Sequence, residues 1–335
     1  MLKKETVFVI GAGASAEFGF PVGTDLAIRI SEKLNVLFDD WGQKVIEGDS
    51  DLFHNVARGR NFQAVQKAAW LIRDGIILAN SIDDFLDIHR HDEEVVRYGK
   101  AAIAKCILEA ERSSKLFFQH SRSSTSIDFK SSANTWLVKL MRLLGRQRPK
   151  SDRAKIFEKC TFVVFNYDRA IEHFFVHALQ RVYDIDLDEA LEIVDQARIF
   201  HAYGMTGRYG VGRDTASYGA EKINYCEIGV TSIKTYTETI ESEEIRQAIA
   251  AAQSIVFLGL AYHDQNLRLL CTDGQLQVKD VLGTAMFRSD SDIAAIQSQI
   301  SKWAEPNHRK VFLNHIRVAN RFAASQMFDD YSKFF

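Results

Sequence analysis

The amino-acid sequence predicts an α/β fold, a doubly wound and mostly parallel sheet interrupted by a large helical insertion. Three observations carry that expectation. The chain opens on an apolar, β-branched run stopped by glycines, Val7-Phe8-Val9-Ile10 and then Gly11-Ala12-Gly13, the pattern of a buried parallel strand entering a tight turn. From about residue 155 strand and helix signals alternate, as successive βαβ units require. Between about 40 and 155 the periodicity is almost purely helical.

After the first strand, Thr24 stands as a candidate N-cap for a helix with Leu26, Ile30 and Leu34 on one face. In the insertion, Phe62, Val65, Ala69, Ile72 and Ile76 trace one apolar stripe; Val95, Ala102, Cys106 and Ala110 trace another, and Trp136, Leu137, Leu140, Met141 and Leu144 a third. Ser81-Ile82-Asp83-Asp84 reads as a capped helix start. Pro149 closes the insertion, because proline resists continuing a helix. Strand signals return at Thr161–Phe165, Ile199–Tyr203, Ile255–Leu258 and, more weakly, Gly283–Phe287, with helical patterns between them at about 168–182, 187–195, 241–252 and 290–302. Ile316–Asn320 offers a last strand and Phe322–Phe335 a closing helix. The expected organisation is a discontinuous core, 1–35 plus 155–290, an insertion over 36–154, and a tail over 291–335 packing on the core or on partners.

Composition narrows the function classes. Lysine and arginine (42) nearly balance aspartate and glutamate (44), so a net charge of −2 gives no electrostatic case for binding nucleic acid or an anionic membrane. No apolar run reaches the roughly 18 residues of a membrane span. Lys3-Lys4, the apolar run from Thr6 and Ala14-Ser15-Ala16 imitate a signal peptide, but Glu5 interrupts it and cleavage would delete the first strand. Cys106, Cys160, Cys226 and Cys271 are widely spaced, without a CxxC pair, so reduced thiols in a cytoplasm are expected.

Gly11-Ala12-Gly13-Ala14-Ser15-Ala16 fits G-x-G-x-x-G/A after a strand, the turn that brings backbone N–H groups to a pyrophosphate in Rossmann-like folds. The acidic residue expected about 20 positions later is missing. Ligands of open α/β sheets bind beyond the C-terminal ends of the strands, and there the sequence places Asn166-Tyr167-Asp168, His201 with Gly204, and Gly259. An Asn, an Asp and a His converging on such a turn suit cleavage of an N-glycosidic bond, whose oxocarbenium-like transition state asks for carboxylate and hydroxyl-directed contacts. Each has a plainer reading: Asn166 or Asp168 as a helix cap, His201 as a hydrogen-bonded core histidine. His173 and His177, beside Glu172, have i, i+4 spacing for a metal pair but no evident third ligand, and His89-x-His91 reads as solvated helix surface.

These residues together resemble a known family. Gly11-Ala12-Gly13-Ala14-Ser15 with Phe18-Gly19-Phe20-Pro21 resembles the GAGxS…GIP loop of sirtuins. Phe165-Asn166-Tyr167-Asp168 resembles their QNxD element, His201-Ala202-Tyr203-Gly204 their catalytic-histidine strand, Phe257-Leu258-Gly259 with Asn266 their late ribose-binding turn, and Ser81-Ile82-Asp83 with Phe85-Leu86 a SIDxFL element. The likeness spans residues 7–270 in family order, with Phe165 where Gln or Thr is more usual. The four-cysteine zinc ribbon of deacylase sirtuins has no counterpart, so the chain is closer to bacterial antiphage sirtuin-like NADases.

The resemblance implies an NAD⁺ glycohydrolase that releases nicotinamide and ADP-ribose and depletes NAD⁺ in abortive infection, with no zinc. It implies that Gly11, Ala12, Gly13 and Ser15 hold the pyrophosphate and nearby ribose under a cover including Phe20 and Pro21. Asn166 would orient the nicotinamide ribose or the attacking water, Asp168 would contact that ribose or the carboxamide, and His201 would act as general base. Gly204, Gly259 and Asn266 would line the site, the last two toward the adenosine ribose, with Asp83 reaching in from the insertion. A cytoplasmic homo-oligomer is implied, controlled by a HerA-type ATPase or another defence partner. The alternatives are an NAD-dependent deacylase or ADP-ribosyl transferase, or a non-catalytic module sensing NAD⁺ or ADP-ribose.

Overall fold

A computed structural model describes residues 2–40, 44–119, 126–210, 215–236, 243–271 and 276–335. Its centre is a six-stranded, all-parallel sheet of β1 (Thr6–Ile10), β4 (Cys160–Val164), β5 (Arg198–His201), β6 (Ser254–Leu258), β7 (Asp280–Thr284) and β8 (Ile316–Ala319). Two very short strands, β2 (Leu37–Phe38) and β3 (Val45–Glu47), form a separate antiparallel pair where only helix was expected.

The spatial order is β5-β4-β1-β6-β7-β8. From β1 the chain builds outward through β4 to β5, then crosses back to lay β6 against the other side of β1. That reversal between β1 and β6 is a topological switch point, and the order is that of a Rossmann-like doubly wound sheet. β1 pairs in register with both neighbours, Phe8 opposite Phe162 and Val256, Ile10 opposite Val164 and Leu258.

Alternation along the strands divides the interior into two cores. Val7, Val9, Val163, Ile255, Phe257 and Val281 face one side; Phe8, Ile10, Phe162, Val164, Val256, Leu258 and Leu282 face the other. Both sides are covered, which is why β1, β4 and β6 are apolar at nearly every position instead of alternating with polar residues. The insertion is part of this packing: buried residues of its helices Ser50–Ala57, Phe62–Gly75, Ile82–Ile88 and Glu93–Ser113 belong mainly to the first core, and those of Trp136–Gly145 to the second. Ala170–Tyr183, Leu187–Asp195 and Ala324–Asp330 complete the second layer.

Several helix starts behave as their sequences indicate, with Asp49, Asn61, Ser81, Asp92 and Asp186 each accepting a backbone N–H three residues on, a contact worth about 1 kcal/mol. Thr24 does not cap its helix, which runs Gly23–Lys33 and so begins two residues earlier than that cap implies, behind Val22. The helical pattern expected over 241–252 is a helix at Glu243–Ala251; residues 241 and 242 lie outside the described residues. Among the described residues no helix is long and apolar enough to cross a membrane.

Candidate functional site

Four strand ends converge beside the switch point. The turn after β1 and the turn after β6 touch through glycines: Gly11 N–H donates to the Leu258 carbonyl at 2.9 Å and Gly13 N–H to the Gly259 carbonyl at 3.0 Å. A Cβ on Gly259 would lie 2.0 Å from the Ala14 nitrogen, and its φ of +62° is one that L side chains rarely adopt, so this crossing requires glycine on both counts. Ala14 N–H donates to the Gly11 carbonyl. With those three amides engaged, the turn stays half-exposed at Ala12 and Gly13. Phe20 and Pro21, expected in the cover, are both buried, and Phe20 packs in the second core.

The turn is anchored by distant elements. The Trp136 indole N–H donates to the Ala14 carbonyl at 3.0 Å. The Glu17 carboxylate accepts from Trp136 N–H at 2.9 Å and Ser325 N–H at 2.7 Å, placing one negative charge at the N-terminal ends of two helices, where their dipoles favour it.

Beyond β4, the Asn166 side-chain amide donates to Ser15 Oγ at 2.8 Å, joining the first turn to the second strand end. Asp168 is buried between Ser15 and the Ala170 N–H, which donates to its Oδ1 at 3.1 Å. It therefore accepts from the first N–H of the following helix, just ahead of the N-cap residue Arg169, while Asn166 caps nothing. Burial pushes the Asp168 carboxyl up to about 6, against the pull of Ser15, Ala170 and His201. Tyr167, between them, donates its phenol to the Asp83 carboxylate from the insertion. Burial raises Asp83 to about 6 as well. Asp83 thus reaches the cleft wall, but through Tyr167.

His201 is the last residue of β5 and its ring is only 3% exposed. Nδ1 lies 3.2 Å from the Asn166 carbonyl and Nε2 2.8 Å from Glu172 Oε1. The Asn166 carbonyl accepts and Glu172 is held toward its charged form, an arrangement that favours a ring protonated on both nitrogens beside a carboxylate. Burial opposes both charges, but Glu172 raises the histidine above its ordinary range and His201 lowers the glutamate below its own. Both ring nitrogens of His201, the expected general base, are thus engaged by protein neighbours. Among the described residues, Glu172 Oε2 is buried without a hydrogen-bond partner.

Beneath this lies a fully buried ion pair, Arg169 with Glu111 of the insertion, both side chains 0% exposed. Glu111 also accepts from Gly219 N–H at 2.8 Å, and Arg169 donates to the Ala216 and Ser217 carbonyls, so the pair fixes the segment after β5 beneath the site. Gly204, φ +74°, starts that segment by letting it pass against Ser232 and Ile233. Asn266 is committed to Tyr203, whose phenol donates to its Oδ1 at 2.6 Å.

The structure thus brings Gly11, Gly13, Ser15, Asn166, Asp168, His201 and Gly259 together, while Phe20 packs in the second core and Asn266 is bonded to Tyr203. Sequence reasoning attached Glu172 to His173 and His177. Instead His173 stacks on Tyr218 with ring centroids 3.8 Å apart and bonds to Tyr209 and the Leu116 carbonyl. One signal pointed to Glu172: it lies one helical turn after Asp168, on the helix leaving β4. Among the described residues there is no group of three or more His, Cys, Asp or Glu side chains arranged to hold a metal ion. Comparisons with protein-family models, with curated proteins and with solved structures found no match.

Proposed function

We propose that this protein cleaves the N-glycosidic bond of NAD⁺, releasing nicotinamide and ADP-ribose. The observation that carries the reading is the chain of contacts Ser15–Asn166, Ser15–Asp168 and Asn166–His201–Glu172, which ties a dinucleotide-type glycine turn to three polar strand-end residues beside the switch point.

The chemistry fits these groups. The leaving nicotinamide is already a pyridinium, so the C1′–N bond breaks with its electron pair going to nitrogen and no acid is needed. What the reaction requires is negative charge near the developing oxocarbenium ion, a held ribose and a water relieved of a proton. Asp168, at about 6, is largely ionised at neutral pH and close enough to it to exchange a proton. As the water oxygen bonds to C1′, Asp168 takes its proton and returns it to solvent. Asn166 offers an amide to the ribose hydroxyls or the water. His201, charged and held by Glu172, fixes the Asn166 carbonyl and with it the amide; this positioning role replaces that of a base.

The resemblance to antiphage sirtuin-like NADases supports a role in defence through NAD⁺ depletion, under the control of a partner protein or of self-assembly in the cytoplasm. The test is product analysis. Full-length protein, alone and with the product of its neighbouring gene, is incubated with NAD⁺, with and without an acyl-lysine peptide. Nicotinamide and ADP-ribose released without the peptide are expected; release only with it would replace the hydrolase by a deacylase, and binding without release would leave a sensor.

A further inference from the structure

The ring of His201 meets the cleft residue Asn166 through Nδ1 and Glu172 through Nε2. Glu172 in turn lines a cavity of about 130 Å³, together with Val194, Ala197 and Ile199 and, from the segment after β5, Arg208 and Tyr209. The ion-paired side chains of Arg208 and Asp195, 66% and 64% exposed, belong to the same lining and bring it to the surface. Among the described residues the lining includes neither Ser15 nor Asn166 nor Asp168, so the cavity opens separately from the cleft.

One oxygen of Glu172 is used by His201 Nε2, at 2.8 Å. The other, Oε2, has no hydrogen-bond partner among the described residues, in a residue only 8% exposed. A buried carboxylate oxygen without a donor is costly, and ordered water in an adjoining cavity is a common remedy. The room is sufficient, since a water needs at least about 10–15 Å³. Tyr209 supplies a second acceptor. Burial keeps His173 neutral and its Nε2 lies 3.0 Å from the Leu116 carbonyl, so Nδ1 accepts the Tyr209 hydroxyl at 2.9 Å and the phenol oxygen keeps its lone pairs.

The charged and titratable groups around Glu172 are His201, Arg169 on its own helix, and Tyr209, Arg208 and Asp195 about the cavity. Arg169 is committed to Glu111 and Arg208 to Asp195, which leaves Glu172 between the imidazole and the cavity. The His201 ring, 3% exposed, has almost no surface of its own through which to meet solvent.

We infer that this cavity is a water-filled passage through which the buried His201–Glu172 pair exchanges protons with solvent, by a route separate from the cleft. The Nε2 proton passes to Glu172 Oε1, leaving a neutral imidazole and a carboxylic acid. A half turn of the carboxyl group presents that proton to the cavity, where water takes it and leaves the carboxylate. A proton returns by the reverse steps. The passage goes beyond the proposed hydrolysis and holds whatever occupies the cleft. With a ligand over Asn166, the charge on His201 that fixes the Asn166 carbonyl still follows the pH of the medium.

Nuclear magnetic resonance of the full chain, isotope-labelled in histidine, tests this. The His201 signal is assigned by its loss in His201→Gln, and circular dichroism confirms that each variant is folded. Ala197→Leu and Val194→Phe add carbons to the lining, and each should slow exchange of the Nε2 proton with water at least about tenfold, because the route left is opening of the fold. Glu172→Ala lowers the pH at which His201 titrates and leaves a hole that formate, the smallest carboxylate, reaches from the cavity. Formate should raise that titration again, which a merely structural Glu172 would not allow, and should fail to do so once Ala197→Leu is added. Exchange as fast as in wild type in both folded filling variants, no effect of formate on Glu172→Ala, or a formate effect that survives Ala197→Leu overturns the inference. None of these readouts needs nicotinamide release, so failure of the hydrolase reading leaves the test intact.

Discussion

Replacing Glu111 by Gln keeps the shape of a fully buried side chain and removes its charge, leaving the Arg169 guanidinium buried without a counter-ion. The carboxylate accepts from Arg169 Nε at 2.9 Å and from Gly219 N–H at 2.8 Å, so the glutamine also aims its NH₂ at donors. Breaking a buried pair from one side costs about 3–5 kcal/mol. That is from about a fifth to all of the roughly 5–15 kcal/mol that holds a typical domain together. Urea unfolding of wild type and Glu111→Gln, followed by circular dichroism, should show a loss in this range, with the melting temperature lowered by about 10 °C. Glu111→Leu combined with Arg169→Met removes both charges and should recover much of the loss, since apolar replacement of a whole buried pair is often neutral. A loss below about 1 kcal/mol in Glu111→Gln, the scale of an exposed pair, would refute the view that this pair supports the site from below.

Two further outcomes follow from the geometry. His201, raised above its ordinary 6.5, contributes stability that is fully present below that value and lost as pH rises through the raised folded value; Glu172, lowered from 4.5, contributes stability that is present above 4.5 and lost as pH falls through the depressed one. The stability difference between wild type and Glu172→Gln, measured by urea unfolding across pH 4 to 9, should therefore be greatest between about 4.5 and 6.5 and shrink on either side; a difference independent of pH would contradict the charged pair. At the glycine crossing, Gly259→Ala pays about 1–2 kcal/mol for a left-handed alanine and also drives a methyl into Ala14, whereas Gly19→Ala, at φ +95° with nothing within 4 Å, pays the backbone cost alone. Gly259→Ala should lose dinucleotide binding in titration calorimetry and Gly19→Ala should retain it; equal binding by both would remove the crossing from the site.

The sheet was legible because its signal is local. β1 and β6 are short apolar runs stopped by glycine, β4 is a further apolar run, and Asn166, His201 and Gly259 sit at or just beyond the ends of β4, β5 and β6, so strand-end logic found them without knowledge of the packing. What escaped is carried by pairs far apart in sequence. Glu172 and His201 are 29 residues apart, Glu111 and Arg169 58, Asp83 and Tyr167 84, and Glu17 accepts from Ser325 across 308. No periodicity marks such pairs, because each depends on which helix covers which strand. The same limit explains the roles that changed. His201 is placed as expected, but only the helix after β4 reveals the carboxylate that occupies its ring, and Phe20 follows the glycine turn but is drawn into the core by the neighbouring apolar side chains.

The central claim is that the strand-end residues around Asn166 cleave NAD⁺, and nicotinamide release by wild type and by Asn166→Ala, at saturating NAD⁺ and under the same activating condition, tests it most directly. Because the Asn166 amide meets Ser15 beside Asp168, its loss should lower turnover by about a hundredfold or more, the scale of removing one preorganised polar contact to a transition state. Folded Asn166→Ala releasing nicotinamide as fast as wild type would contradict the assignment.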